Sequence, residues 1–287
     1  MIPAYAKPFT YQIPWKSSSV HSGDHRGSQR GLGFEYRGNL SLVDHPDVRR
    51  IDLRQTLRDP YEQIQVKLFN QDNTTPIFAV CDCSSSMQFK GRTRKLDIAK
   101  EIAASIAYSA FEMSDLFSFI AYNEQVIEEL TLPLSHHVHQ SFELIEQLTN
   151  YQKLRISAEG ILEVPQYLSQ HKGLVFWISD FHMPIHLIEQ AFNAMSAHQI
   201  VPIVLWDEHE YKKLPKFGFG NMIDPETGLS RSIFFREAVR VQFEQAFVER
   251  KQTLEALFAR FDTQALYVSD RFDADAVSHY FEEYMSL

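Results

Sequence analysis

Residues 77–87 read IFAVCDCSSSM, an apolar run that ends in an aspartate and a cluster of serines. The run is continuously apolar rather than alternating, which is typical of a parallel strand whose two faces are both covered by helices. The oxygen-bearing side chains follow at the carboxyl end of this predicted strand, where ligand sites form in open α/β sheets. The stretch therefore predicts a central strand that leads directly into a binding site.

Around this stretch, apolar strand-like runs alternate with amphipathic segments, which is the pattern of a doubly wound α/β sheet. Helical spacing predicts helices near residues 95–113, 138–148, 185–198 and 236–261, and another that begins at residue 161. The runs 116–122 and 126–132 lie too close together for a crossover helix, so they require an antiparallel hairpin. We predict a mostly parallel sheet with one antiparallel strand.

Outside this pattern, residues 1–72 are rich in Gly, Ser, Arg and Pro and show no long helical period. They predict a small module of loops and short strands. A late segment, about residues 214–235, contains a turn sequence, DPETG, between two short strand-like runs and predicts a second hairpin. We expect this hairpin to pack with the N-terminal module, and residues 73–287 to form the large α/β domain.

Composition excludes two classes of protein. The chain of 287 residues carries a net charge of -9, which argues against binding to duplex nucleic acid, because phosphate contacts need a basic surface. Its longest apolar runs are much shorter than the roughly 20 residues that span a bilayer. The N-terminal sequence shows no pattern of a secretory signal, so we expect a cytoplasmic protein without a membrane span.

Asp82, Ser84 and Ser86 form the first candidate metal site. A carboxylate followed by hydroxyls two and four residues later supplies hard oxygen ligands, which suit Mg²⁺ and also Mn²⁺ or Ca²⁺. The alternative is a turn in which these side chains only cap a helix. A second carboxylate, Asp180, directly follows the apolar run 174–179, and the ends of neighbouring parallel strands meet at one edge of a sheet. We therefore expect Asp82 and Asp180 to lie close together.

The sequence Asp82-Cys83-Ser84-Ser85-Ser86 resembles the metal-ion-dependent adhesion site of von Willebrand factor type A domains. That family places a second acidic residue where Asp180 lies, and a hydroxyl residue, usually threonine, in a loop between the two motifs. The resemblance implies that Ser157 supplies this hydroxyl here, although Glu159 is an alternative ligand. Capping of the following helix is the structural alternative for both residues.

The resemblance extends over nearly the whole chain. Residues 31–38 (GLGFEYRG) and 47–53 (DVRRIDL) are similar to the N-terminal signature of bacterial type A-like proteins that accompany MoxR-type AAA+ ATPases. The MxaS-like members linked to methanol oxidation are the most similar branch. Further shared positions are Trp15, His21, Gly23, His25, Arg26, Arg54, Arg58, Asp59, Pro60 and residues 224–228. The resemblance implies a non-enzymatic adaptor that works beside such an ATPase in the assembly or maturation of client complexes.

Two other functions compete with a metal-dependent adaptor. An aspartate at a strand end can be the nucleophile of a Mg²⁺-dependent phosphoryl-transfer enzyme, but such enzymes pair it with an acid two residues later, and position 84 is a serine. The third possibility is a structural assembly protein that binds no metal.

In the adaptor hypothesis, the cation would keep one coordination position open for an Asp or Glu of an acidic client surface.

Overall fold

A computed structural model describes residues 2–13, 15, 22–31, 35–43, 48, 51–61, 63–151, 157–212, 218–223 and 230–284. The strands are β1 (Ser22–Gly31), β2 (Glu35–Ser41), β3 (Gln65–Asn73), β4 (Pro76–Asp82), β5 (Leu116–Tyr122), β6 (Val126–Ser135), β7 (Leu174–Ser179), β8 (Gln199–Leu205), β9 (Gly218–Ile223), β10 (Ser230–Phe235) and β11 (Leu266–Val268). The α-helices are α1 (Leu53–Thr56), α2 (Lys95–Glu112), α3 (Val138–Glu146), α4 (Ile185–Ala194), α5 (Glu208–Tyr211), α6 (Glu237–Arg260) and α7 (Ala274–Tyr284).

Six strands form the central sheet, in the order β11-β8-β7-β4-β5-β6. Five of them run parallel, and β6 pairs antiparallel with β5. Strand β4 lies between β5 and β7, and each of its seven residues is buried, which explains its continuously apolar sequence. The predicted fold class, an α/β protein with a mostly parallel sheet and one antiparallel strand, is confirmed.

Helices cover both faces of this sheet. Alternate β4 residues such as Ile77 and Ala79 belong to a buried cluster with side chains of α2, α3 and α7. Their neighbours Phe78 and Val80 belong to a second cluster with side chains of α4 and the C-terminal part of α6. Because both faces are closed by helices, a ligand can reach the central strands at their ends.

Residues 2–13 lie against the large domain. Phe9 and Tyr11 are buried, and both rings contact Phe176 of β7 edge-to-face. Two serines on α2 accept backbone hydrogen bonds from this segment, Ser105 from Lys7 N–H at 3.0 Å and Ser109 from Phe9 N–H at 2.8 Å. The predicted domain boundary near residue 72 stays a prediction. Residues 2–13 precede this boundary in the sequence but pack against the large domain that follows it.

Two small sheets lie outside the central one. Strands β1, β3 and β2 form an antiparallel sheet, and β9 pairs with β10 as the predicted late hairpin. The predicted turn at residues 224–228 lies outside the described residues, as do parts of the N-terminal signature. Packing of the hairpin with the N-terminal module therefore stays a prediction. Among the described helices, none combines the length and the apolar composition needed to cross a bilayer.

One predicted helix differs in kind. The segment from residue 161 forms two short 3-10 turns, Glu159–Leu162 and Val164–Tyr167, instead of an α-helix. Pro165 lacks the N–H that an α-helix would need at this point, and its ring clashes with the preceding turn.

Candidate metal centre

At the end of β4, the Asp82 side chain is buried and hydrogen-bonded only by neutral groups among the contacts described. Its Oδ1 accepts the backbone N–H of Ser84 at 2.8 Å, and its Oδ2 accepts the Ser179 hydroxyl at 2.7 Å. Burial, together with repulsion from the Asp180 carboxylate, raises the pKa of Asp82 to about 6. Asp82 is therefore a buried carboxyl group whose negative charge is poorly compensated.

The serines after Asp82 lie in a tight loop that begins a 3-10 turn, Ser85–Gln88. Met87 is fully buried and anchors the turn, and its N–H donates to Ser84 O at 3.1 Å. The two hydroxyl oxygens of Ser84 and Ser86 lie 3.2 Å apart. Ser84 precedes the turn but makes no side-chain capping hydrogen bond to it. The capping alternative is therefore not supported at Ser84, whose hydroxyl lies against the Ser86 hydroxyl instead.

At the end of β7, the equally buried Asp180 has a different environment. Its Oδ2 lies 2.9 Å from the Lys95 ammonium, and its Oδ1 accepts the backbone N–H of His182 at 3.2 Å. Burial alone would raise the pKa of Asp180, but Lys95, with help from His182 and a Ser86 hydrogen bond, outweighs it and lowers the pKa to about 2. Asp180 is therefore held as a charged carboxylate.

Lys95, beside the site, was not expected from the sequence, and neither were His182 and His186, which lie next to it. Lys95 is the first residue of α2, its side chain is 1% exposed, and its Nζ also lies 2.5 Å from Glu210 Oε1. The helix dipole disfavours a cation at the N-terminus of a helix, so a lysine there needs a specific anion. That unfavourable position was the available sequence signal, although it does not identify Asp180 and Glu210 as partners.

The loop with Ser157 reaches the site from the side of β5 and β6. The Ser157 hydroxyl accepts the N–H of Glu159 at 3.1 Å, and the Glu159 side chain is exposed. Ala158 is the residue that precedes the 3-10 turn, and no side chain caps the turn, so the capping alternative is not supported here. Gly160 fixes the loop, since its N–H donates to Asn123 O at 2.9 Å. A Cβ atom at Gly160 would lie 2.5 Å from the carbonyl carbon of Gln125, so this close approach requires glycine.

These elements enclose one cavity of about 290 Å³ at the carboxyl ends of β4 and β7. Its walls consist of Asp82, Ser84, Ser86, Ser157, Ala158, Glu159, Asp180, His182, Met183, Pro184, His186 and Leu187. The structure thus brings together the five residues expected from the sequence and the alternative Glu159. Their role as metal ligands stays a prediction.

A family with no assigned function matches most of the chain. The model of the family described as "Protein of unknown function DUF58" matches residues 44–253. The chain belongs to this family. All the cavity residues, together with Lys95 and Glu210, lie within the matched part.

Solved structures similar to this DUF58 protein share little sequence with it. The conserved hypothetical protein BatB from Bacteroides thetaiotaomicron has a TM-score of 0.45 and 13% identity, over 74% of this chain and 98% of that one. An aerotolerance-related membrane protein from Bacteroides fragilis NCTC 9343 has a TM-score of 0.46 and 11% identity, over the same shares of the two chains. The pilus adhesin SpaC from Lactobacillus rhamnosus GG reaches 0.40 and 11%, over 73% and 29%. No curated protein matches this chain.

A second group of possible ligands lies at the ends of β8 and β11 of this DUF58 chain. Asp207, His209 and Asp270 offer ligand atoms within 4.8 Å of one another. However, the carboxylate of Asp207 already accepts the His209 N–H at 2.8 Å and forms a capping box with Glu210 on α5. The helix cap accounts for Asp207 and His209 but not for Asp270, so a metal-binding experiment needs an Asp270 variant as a control.

The chemistry of the cavity fits a hard divalent cation. Carboxylate and hydroxyl oxygens are the ligands that Mg²⁺, Mn²⁺ and Ca²⁺ prefer. Asp82 would gain most from a nearby positive charge, because it is buried among neutral donors while its pKa is raised. Asp180 would gain less, because Lys95 already compensates its charge.

Proposed function

We propose that this DUF58 protein binds one divalent cation, Mg²⁺ in the first instance, and uses it to bind an acidic surface of a partner protein. The observation that carries the proposal is the cavity in which Asp82, Ser84, Ser86, Ser157 and Asp180 converge. Burial of Asp82 among neutral donors supports a metal site, since a buried charge is normally paired or bound to a metal.

Each side chain has a distinct part in this proposal. Asp82 would provide the uncompensated negative charge, and the adjacent hydroxyls of Ser84 and Ser86 would provide neutral oxygen ligands. Ser157, or Glu159 in its place, would complete the set of ligands around the cavity. Asp180 would contribute its charge from beside Lys95. A bound divalent cation would supply a positive charge that attracts a carboxylate of the partner more strongly than a neutral side chain.

The sequence resemblance adds a cellular context to this proposal. The type A-like proteins that accompany MoxR-type AAA+ ATPases, above all the MxaS-like branch, resemble the chain along nearly its full length. We infer from this resemblance that the chain works with such an ATPase in the assembly or maturation of client complexes. The residues 224–228 and much of the N-terminal signature that carry the resemblance lie far from the cavity in sequence. They support the family context rather than the metal.

Calorimetric titration with Mg²⁺ tests the proposal. We expect one binding event per chain in the wild type, its loss in Asp82→Ala, and its retention in Asp270→Asn, which alters only the second group of possible ligands. Binding of an acidic partner should then disappear in excess chelator while the domain stays folded. If the wild type gives neither heat nor thermal stabilisation with Mg²⁺, Mn²⁺ or Ca²⁺, the proposed function is wrong.

A metal-free binding protein is the second candidate, because one observation favours it. The Lys95 ammonium already lies between Asp180 and Glu210, at 2.9 Å and 2.5 Å, so the protein supplies a cation of its own beside the cavity. In that case partner binding would be unchanged by chelator and abolished when Lys95 is replaced. The same chelator experiment therefore separates the two candidates.

A further inference from the structure

Lys95 is among the most deeply buried charged residues that the structure describes. Its side chain is 1% exposed and belongs to the first turn of α2, while the Phe89 ring lies 5.7 Å from its Nζ. A buried ammonium loses its hydration, and this loss is offset here by two carboxylates at hydrogen-bond distance. An ion pair so close to the cavity must influence any cation that enters it.

We infer that Lys95 is a positioning residue that holds the Asp180 carboxylate and thereby lowers the affinity of the cavity for a divalent cation. Because Asp180 then neutralises less of the cation's charge, more of that charge can attract an acidic partner. The inference rests on the proposed function, whose cation it concerns. It goes beyond the proposed function because it attributes the cation affinity of the site to a residue that does not line the cavity.

Geometry supports this role in two ways. Both oxygens of Asp180 are engaged, Oδ2 by Lys95 Nζ at 2.9 Å and Oδ1 by the His182 N–H at 3.2 Å. A cation that is coordinated by Asp180 therefore has to share the carboxylate with the Lys95 ammonium. The ammonium is also a like charge at close range, and in a poorly hydrated site such repulsion is only weakly screened. Asp82, by contrast, offers both its oxygens without a competing cation among its described contacts.

Glu210 sets how strongly Lys95 acts on Asp180. Its Oε1 accepts the ammonium, and its Oε2 accepts the Asp207 N–H at 3.1 Å, which fixes the glutamate on α5. Lys95 is thus divided between two carboxylates held by different elements. If the charge of Glu210 is removed, Lys95 is left with Asp180 and should hold it more firmly.

A charge-balanced double variant, Lys95→Met with Glu210→Gln, separates the specific effect of Lys95 from an effect of net charge. It removes one positive and one negative charge, so the net charge beside the cavity does not change. If Lys95 restrains Asp180, the double variant binds Mn²⁺ at least tenfold more tightly than the wild type in calorimetric titration. If only the net charge matters, the two proteins bind Mn²⁺ equally, and the inference is overturned.

A single variant covers the case in which the double variant does not fold. Glu210→Gln should weaken Mn²⁺ binding at least threefold more than the matched control Glu208→Gln, whose carboxylate lies on the same helix and pairs with Lys212 instead. Equal weakening in the two variants contradicts the inference. Absence of Mn²⁺ binding in the wild type overturns the proposed function alone if the double variant binds Mn²⁺, because Lys95 would then be what excludes the cation. Absence in every protein overturns both.

Discussion

The ends of β4 and β7 carry the same residue at the same buried edge of the sheet, yet their electrostatics are opposite. Asp82, the last residue of β4, accepts hydrogen bonds from the Ser84 N–H and the Ser179 hydroxyl, and its pKa is raised to about 6. Asp180, after β7, is paired with Lys95, and its pKa is lowered to about 2. Burial is equal at the two positions, so the difference comes from the neighbouring side chains.

This contrast shows that a pair of buried carboxylates need not depend equally on a metal. At the β7 end, the Lys95 ammonium is the cation that compensates the carboxylate. At the β4 end it provides only dipoles, which compensate a full negative charge less well than an ammonium does. The requirement for an external cation is therefore concentrated at Asp82, and the following predictions test this asymmetry.

The largest effect should come from Lys95→Met in the absence of metal. The substitution leaves Asp180 and Glu210 as buried carboxylates without their shared cation, which should cost about 3–5 kcal/mol of unfolding free energy. Urea denaturation measures this loss. The control Lys251→Met removes a lysine whose side chain is 49% exposed and whose ion pair with Glu255 lies at the surface, so it should cost about 0.5 kcal/mol or less. Equal losses would mean that the buried ion pair contributes no more to stability than the surface ion pair does.

The second effect concerns pH and distinguishes the two aspartates. The raised pKa of Asp82 means that the folded state binds a proton more tightly than the unfolded state, so stability falls as the pH rises from about 4 to about 6. The cost amounts to about 2–3 kcal/mol and persists above that window. The lowered pKa of Asp180 has the opposite sign, since its contribution is present above about pH 4 and is lost as the pH falls towards 2.

Denaturant unfolding of the metal-free protein between pH 4 and pH 8 checks this window. In Asp82→Asn the decline between about pH 4 and pH 6 should be absent, because the titrating group is gone. Saturating Mg²⁺ should also flatten the decline in the wild type, since the cation competes with the proton for Asp82. A decline that persists unchanged in Asp82→Asn would assign it to a different group.

A smaller effect should follow from Gly160→Ala in the loop that faces the two strand ends. The added Cβ would lie 2.5 Å from the Gln125 carbonyl carbon, so the loop must move, at about 1–3 kcal/mol. Mg²⁺ affinity should fall as well, because Ser157 and Glu159 move with the loop. Glu159→Ala, at the exposed neighbouring position, should leave stability within about 0.5 kcal/mol of the wild type. Unchanged stability and Mg²⁺ affinity in Gly160→Ala would show that this loop is not part of the site.

The smallest effect on stability is expected for Ser157→Ala, which removes a hydroxyl that accepts the Glu159 N–H. The loss of this hydrogen bond should cost about 0.5–1 kcal/mol. Calorimetry with Mg²⁺ then identifies the residue that completes the site. A drop in affinity in Ser157→Ala but not in Glu159→Gln selects the serine, and the reverse result selects the glutamate.

Much of the site could be predicted because it depends on local patterns. The continuous apolar runs 77–81 and 174–179 predicted two central strands, and parallel strands that neighbour each other place Asp82 and Asp180 at one edge. The segment from residue 161, predicted as a helix, forms 3-10 turns instead, because Pro165 lacks the N–H that a continuous α-helix would use. Lys95 was missed because its partners lie far away along the chain, with Asp180 at a separation of 85 residues.

The sequence by itself determined the α/β fold, the order of the central elements and the oxygen-rich edge, because hydrophobic periodicity and strand ends are local properties of the chain. Only the tertiary structure decided which carboxylate receives an internal cation. That choice depends on where α2 and α5 pack relative to β7, and the contacts of a buried charge follow from this packing rather than from its position in the sequence. The two aspartates, equivalent in sequence pattern, became different through Lys95.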